Sequence, residues 1–90
     1  MVSVKFTPVL KRFFPDLKTE SLEADTVGNL IIEIDRKYPG IKNYMVDETG
    51  HLREHVQIYI GEEPVNKDNQ LQEKLSSDDK VLIYQAVSGG

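Results

Sequence analysis

Ninety residues carrying a net charge of −4 and a pI near 5.1 describe one small acidic domain. Nucleic acid and anionic membrane surfaces both demand a basic footprint, so neither is expected as a partner. The chain has no cysteine, which excludes disulfides, thiolate catalysis and cysteine-based zinc sites.

In chain order, Val2, Val4 and Phe6 alternate with Ser3, Lys5 and Thr7, the period of a half-buried strand that Pro8 ends. A loop to Asp16 follows. Its Phe13-Phe14-Pro15 is expected to fold aromatic rings over one end of the core, an exposed partner anchor being the alternative. Lys18 to Ala24 reads as a weak, edge-like second strand. Thr26 is a helix N-cap with Asp25 adding negative charge at the helix start. Val27, Leu30, Ile31, Ile34 and Tyr38 then form one helical stripe, and Pro39-Gly40 stops it. Gly28 in the first turn costs up to roughly 1 kcal/mol relative to alanine. Close approach of helix to sheet explains it better than a phosphate site.

Ile41 to Val46 is expected to be extended, and Asp47-Glu48-Thr49-Gly50 to turn. Val56, Ile58 and Ile60 form one face of a clear strand, with Gln57 and Tyr59 on the other. Gly61 to Pro64 turns the chain into a short return strand from Val65. Leu71 to Leu75 is expected to form one helical turn, before a polar turn and a last strand from Val81 to Gln85. No cationic-then-apolar leader opens the chain, and no apolar run approaches the ~18 residues of a membrane span. A cytoplasmic location is the expectation.

Ser88-Gly89-Gly90 stands directly after this last strand. Two glycines put no side chain near the final carboxylate and leave φ and ψ free, so such a tail can thread a narrow active site. Its carboxylate is well placed to be a substrate. Gln85 to Gly90, fully extended, reaches about 20 Å. Val87 is either an apolar anchor along that path or packed on its own sheet.

The order β-β-α-β-(short β)-β resembles the ubiquitin-like β-grasp fold, and within it the small sulfur-carrier proteins of the MoaD/ThiS family. The resemblance rests on Thr26-Val27-Gly28-Asn29-Leu30, Tyr38-Pro39-Gly40-Ile41, Gly50 to Val56 leading into Gln57 to Glu63, Asp78 to Ile83, and Ala86-Val87-Ser88-Gly89-Gly90. It implies an α+β domain over residues 1–85, a mixed sheet of four to five strands with one main helix on one face, and a flexible tail over 86–90. It implies a carrier and not an enzyme. An E1-like adenylating partner, using ATP and Mg, activates Gly90; a sulfur donor leaves a thiocarboxylate there; a sulfur-acceptor enzyme or synthase large subunit takes the sulfur. The chain itself binds no cofactor and no metal. Likeness is greatest to cysteine-biosynthesis carriers and molybdopterin-synthase small subunits. Ser88 stands where alanine is common and Gln85 where proline is frequent, which leaves the pathway open. A protein modifier joined through Gly90 to lysines, or a β-grasp interaction module without tail chemistry, are the alternatives.

If Val56, Ile58 and Ile60 face the helix, Tyr59, Leu82 and Tyr84 lie on the open side of the sheet as a docking patch beside the tail. Reversed parity, or loops covering the patch, would remove it. His51 and His55 are four apart without an evident third ligand, so solvated or loop-packed histidines are expected. Asp78-Asp79 and Glu62-Glu63 sit in turns, and acidic residues are expected to help steer the chain onto a basic partner surface.

Overall fold

The period-two segments form the strands their spacing predicts. The computed structural model describes residues 1–65 and 71–85. It places β1 at Val2–Phe6, β2 at Glu20–Leu22, β3 at Val56–Ile60, β4 at Glu63–Pro64 and β5 at Lys80–Gln85. They make one five-stranded sheet in the order β2-β1-β5-β3-β4. β1 and β5 run parallel, with Val4 opposite Val81 and Phe6 opposite Ile83, and the other three pairings are antiparallel. The main helix, α1, spans Val27–Lys37 and buries Val27, Leu30, Ile31 and Ile34. These meet Val2, Val4, Val56, Ile58, Val81 and Ile83 in one core. This is the α+β, β-grasp arrangement that the resemblance implied.

Thr26 caps α1 through its hydroxyl oxygen, which accepts the backbone N–H of Asn29 at 3.1 Å. The next two donors are also answered. Val27 N–H reaches the Glu73 carbonyl at 3.0 Å and Gly28 N–H the Leu71 carbonyl at 2.8 Å. No free N–H cradle for a phosphate remains there. Gly28 is glycine because of this contact, not because the helix nears the sheet as the sequence suggested. A Cβ at Gly28 would stand 3.3 Å from the Leu71 carbonyl oxygen.

Two other expectations fail locally. Ile41 to Val46 is not extended: Lys42–Met45 forms a short helix, α2. Asp35 explains it, because one carboxylate oxygen accepts the N–H groups of both Gly40 and Lys42 at 3.1 Å and so curls the chain. Ile41 and Met45, one helical turn apart, are then fully buried. The stretch from Leu71 to Leu75 is not helical. Leu71 has φ +64, and Lys74 bridges to Thr26. The loop after β1 holds a 3₁₀ turn at Pro8–Arg12, which buries Leu10 completely.

One polar network lies inside. Glu20 on edge strand β2 is only 7% exposed. Its carboxylate accepts the Tyr38 hydroxyl and the Lys37 ammonium at 3.0 Å. These two bonds hold its carboxyl below the ordinary glutamate value, the tyrosine first. Burial, and then the same bond, push the Tyr38 phenol up. The network ties the C-terminal end of α1 to the edge of the sheet.

A lowered carboxyl pKa in the folded state contributes stability above the unfolded pKa and loses it as pH falls through the folded value. Glu20→Gln is expected to cost about 1.5–3 kcal/mol at pH 7, the worth of hydrogen bonds to a charged group. Urea unfolding across pH should show this deficit shrinking below about pH 4, where both proteins carry a neutral group. A deficit that stays constant down to pH 2 would show that the carboxylate charge contributes nothing.

Candidate functional site

β5 ends at Gln85, so the root of the tail lies in the middle of the sheet, between β1 and β3. Gln85 is opposite Val56 in β3. Its backbone N–H donates to the Thr7 hydroxyl at 3.0 Å, and the Thr7 N–H donates to the Ile83 carbonyl at 3.1 Å. The root is therefore clamped on both sides. The predicted tail residues Val87, Ser88, Gly89 and Gly90 lie outside the described residues.

The open sheet face has the parity that alternation predicted. Tyr59 stands directly opposite Leu82 and Gln57 opposite Tyr84. Lys5 of β1 flanks Leu82 on the other side, and Pro64 flanks Tyr59. Tyr84 is 45% exposed, while Tyr59 and Leu82 are half-buried against their neighbours. Lys5 and Lys80 are exposed at the margin of this apolar centre. The structure thus brings the three predicted residues together on one surface that runs to the tail root.

Sequence reasoning missed a ring cluster in the loop that departs from Thr7. Phe14 does fold back against the core, but Phe13 does not and is 54% exposed. Its ring stacks on Tyr44 of α2, with centroids 4.9 Å apart and planes at 25°. Phe14 meets the same tyrosine edge-on at 5.5 Å. Arg53 joins them, its Nε donating to the Asn43 carbonyl at 2.9 Å. No periodicity links residues so far apart in the chain. Only the exposed Phe-Phe-Pro run signalled them.

The histidines are not brought together as ligands. Asp47 takes the Thr49 hydroxyl at 2.6 Å and the His51 N–H at 3.1 Å. Thr49 has spent its one proton on Asp47, so its oxygen accepts from His51 Nδ1 at 2.8 Å. The Thr49 hydroxyl foremost, with the backbone donors of the turn, holds the Asp47 carboxyl below its usual range. His55 is exposed. Among the described residues no group of three histidine, aspartate or glutamate side chains is placed to hold a metal. A groove of about 720 Å³ lies at the opposite end of the sheet between Met1, Glu23, Ile32 and Ser77. Arg36 beside it is paired with Glu33 at 3.3 Å. Among the described residues, no helix is long and apolar enough to cross a membrane.

A five-stranded sheet with its last strand central and its main helix on one face is the β-grasp scaffold. The chain belongs to the ThiS family, whose model matches residues 4–90. It is 31% identical over 91 residues to the protein named sulfur carrier protein CysO of Mycobacterium tuberculosis, a match that covers 99% of this chain and 98% of that one. A chain in the crystal structure of the Amycolatopsis orientalis BexX/CysO complex superposes with a TM-score of 0.86 at 26% identity, covering 100% of both chains. SAMP1 from Haloferax volcanii shares the fold, with a TM-score of 0.80 at 21% identity and coverage of 99% and 98%. The chain is thus a sulfur carrier protein of the CysO type, a substrate of other enzymes and not an enzyme itself.

The clamp at the tail root is testable by itself. Thr7→Val removes the acceptor and leaves the Gln85 N–H buried without one, at a cost of about 1–3 kcal/mol. Hydrogen exchange read by NMR should show the Gln85 amide exchanging faster while Val4 and Ile58 amides keep their order of protection. Unchanged Gln85 exchange would mean that Thr7 does not hold the root.

Proposed function

We propose that the chain carries sulfur on the carboxyl carbon of Gly90. The observation that carries this reading is the family match, which extends through the Gly89-Gly90 terminus. A carboxylate is a poor electrophile. An E1-like partner would join it to the α-phosphate of ATP, with pyrophosphate leaving and Mg²⁺ stabilising the departing charge. A sulfur donor would then attack the acyl carbon, AMP would leave, and a terminal thiocarboxylate would remain. That soft nucleophile needs no cysteine, and the chain has none. The likeness to CysO-type carriers favours an acceptor enzyme of cysteine assembly over a molybdopterin synthase large subunit.

In this reading the folded body is a handle. Tyr59, Leu82 and Tyr84 supply apolar contact area beside the root, and Val87, Ser88 and Gly89 form the thread that enters the partner. Tyr84 is the cleanest probe of the patch because it is the most exposed of the three.

Intact-mass measurement of the chain purified from its own cells should show one oxygen replaced by sulfur, confined to Gly90 by C-terminal peptide mapping. Removing Gly90 should abolish the shift. Covalent attachment to lysines of other proteins, without any thiocarboxylate, would identify a modifier instead. Tyr84→Asp is expected to leave the melting temperature nearly unchanged and to weaken the activating enzyme's KM for the carrier about tenfold, the loss of one contact of roughly 1.4 kcal/mol. An unchanged KM would remove Tyr84 from the docking patch.

A further inference from the structure

A partner that draws in the tail must press the rim of its active site against whatever surrounds Gln85. The described residues define that surround. Thr7 is bonded to the Gln85 amide, and Pro8–Arg12 continues directly from it. Phe13 stacks on Tyr44. Arg53 is tied to the residue before Tyr44, and its carbonyl accepts the N–H of Val56, the strand partner of Gln85. Lys11, Arg12, Phe13 and Arg53 are all exposed.

The charge of this end opposes that of the whole chain. Lys11, Arg12, Lys18 and Arg53 outnumber Asp16 and Glu54 here, Glu20 being paired with Lys37. Acids are the more numerous at the other end, where Asp79 bonds Ser3, Asp25 bonds Leu75, and Glu23 follows the start of the β1–β2 pairing, although Lys74 and Lys80 also stand there. Ion pairs among the described residues are Arg36–Glu33 and Lys37–Glu20. Lys11, Arg12 and Arg53 are in neither. The molecule measures 35 × 29 × 24 Å, while the Debye length at physiological ionic strength is about 8 Å. A docked partner therefore feels the end it touches and not the sum.

We propose that Lys11, Arg12, Phe13, Tyr44 and Arg53 form a collar around the tail root, gripped by the enzyme that activates the tail through an acidic rim with an apolar socket for Phe13. The inference rests on the tail chemistry proposed above and adds the partner's complementary surface. It also reverses the expectation, drawn from net charge alone, of a basic partner. Phe13 suits the central position. It is a large ring held in one orientation by its stack, so little rotamer freedom is lost on docking. The flanking cations set orientation and association rate.

The test is steady-state adenylation of the full chain by its activating enzyme, at low and high salt. Lys11→Glu with Arg12→Glu should raise KM about tenfold at low salt, keep kcat, and converge on the unaltered chain at high salt. Phe13→Ala should raise KM at every salt concentration. Glu23→Lys and Asp78→Lys, at the far end, should change nothing. Thermal melts establish that each variant folds. Equal KM values for folded collar variants and unaltered chain, where the latter is activated, overturn the collar alone. An unaltered chain that gains no adenylate overturns the tail reading with it. A concentration-dependent dimer lost in Phe13→Ala, with KM unmoved, would assign the surface to a second copy and likewise overturn the proposal.

Discussion

The parallel pairing of β1 with β5 is the contact on which the molecule depends. It joins the first strand to the last, Ser3 to Lys80 through Phe6 to Ile83. Closing so long a loop costs entropy, though the cost rises only logarithmically with length. Burial of Val4, Val81 and Ile83 beneath α1 offsets it. The pairing also decides where the tail begins. β5 is bonded along both edges, to β1 and to β3, so Gln85 ends the strand least able to fray. Had the last strand lain at an edge, the root of the tail would share the mobility of edge strands. The tail proposed above would need a fixed anchor, and the centre of a sheet supplies one.

The same topology leaves one sheet face bare. A domain of this size has enough chain for one main helix and one core, and α1 covers the face that carries Val4, Ile58 and Ile83. The other face must tolerate water, and Ser3, Lys5, Gln57 and Lys80 let it do so. Tyr59 and Leu82, opposite one another, shield each other as a cross-strand pair. They stabilise the sheet whether or not a partner is present. Tyr84, with Gln57 opposite, is far less shielded. Its exposure is what a purely structural role would not require.

Wherever a period governed, the sequence was legible. Alternation predicted β1, β3 and β5 together with the parity of Tyr59, Leu82 and Tyr84, and the apolar stripe predicted α1 with its Thr26 cap. Four residues are too few to express a helical period, so α2 was read as extended. Its cause, the Asp35 carboxylate bonding two backbone N–H groups across the Pro39-Gly40 break, is a tertiary contact. Leu71 adopts a left-handed φ that leucine rarely takes, and its carbonyl serves Gly28 of α1. Nothing local announces that. Nothing in the weak, edge-like segment from Lys18 to Ala24 announces the burial of Glu20, because its partners Lys37 and Tyr38 come from the far end of a helix. Net charge carries no positional information: it sums Lys11, Arg12 and Arg53 with acids such as Glu23 and Asp79 that lie elsewhere on the surface.

Loop 7–20, which carries Lys11, Arg12 and Phe13, shows why the buried network matters to recognition as well as to stability. Thr7 fixes one end of the loop at the tail root, and Glu20 fixes the other beneath Tyr38 and Lys37. Between them Leu10 and Leu17 are buried, at 0% and 3% exposure, and the Leu10 carbonyl accepts the N–H groups of both Phe13 and Phe14. A loop so tied presents its exposed ring and cations already in place, and a partner need not order it on docking. The Glu20 carboxylate is bonded to Tyr38 and Lys37 at the end of the loop that carries the collar cations. It acts on the collar by holding the strand end from which the loop departs, and the Thr7 hydroxyl does the same from the tail side.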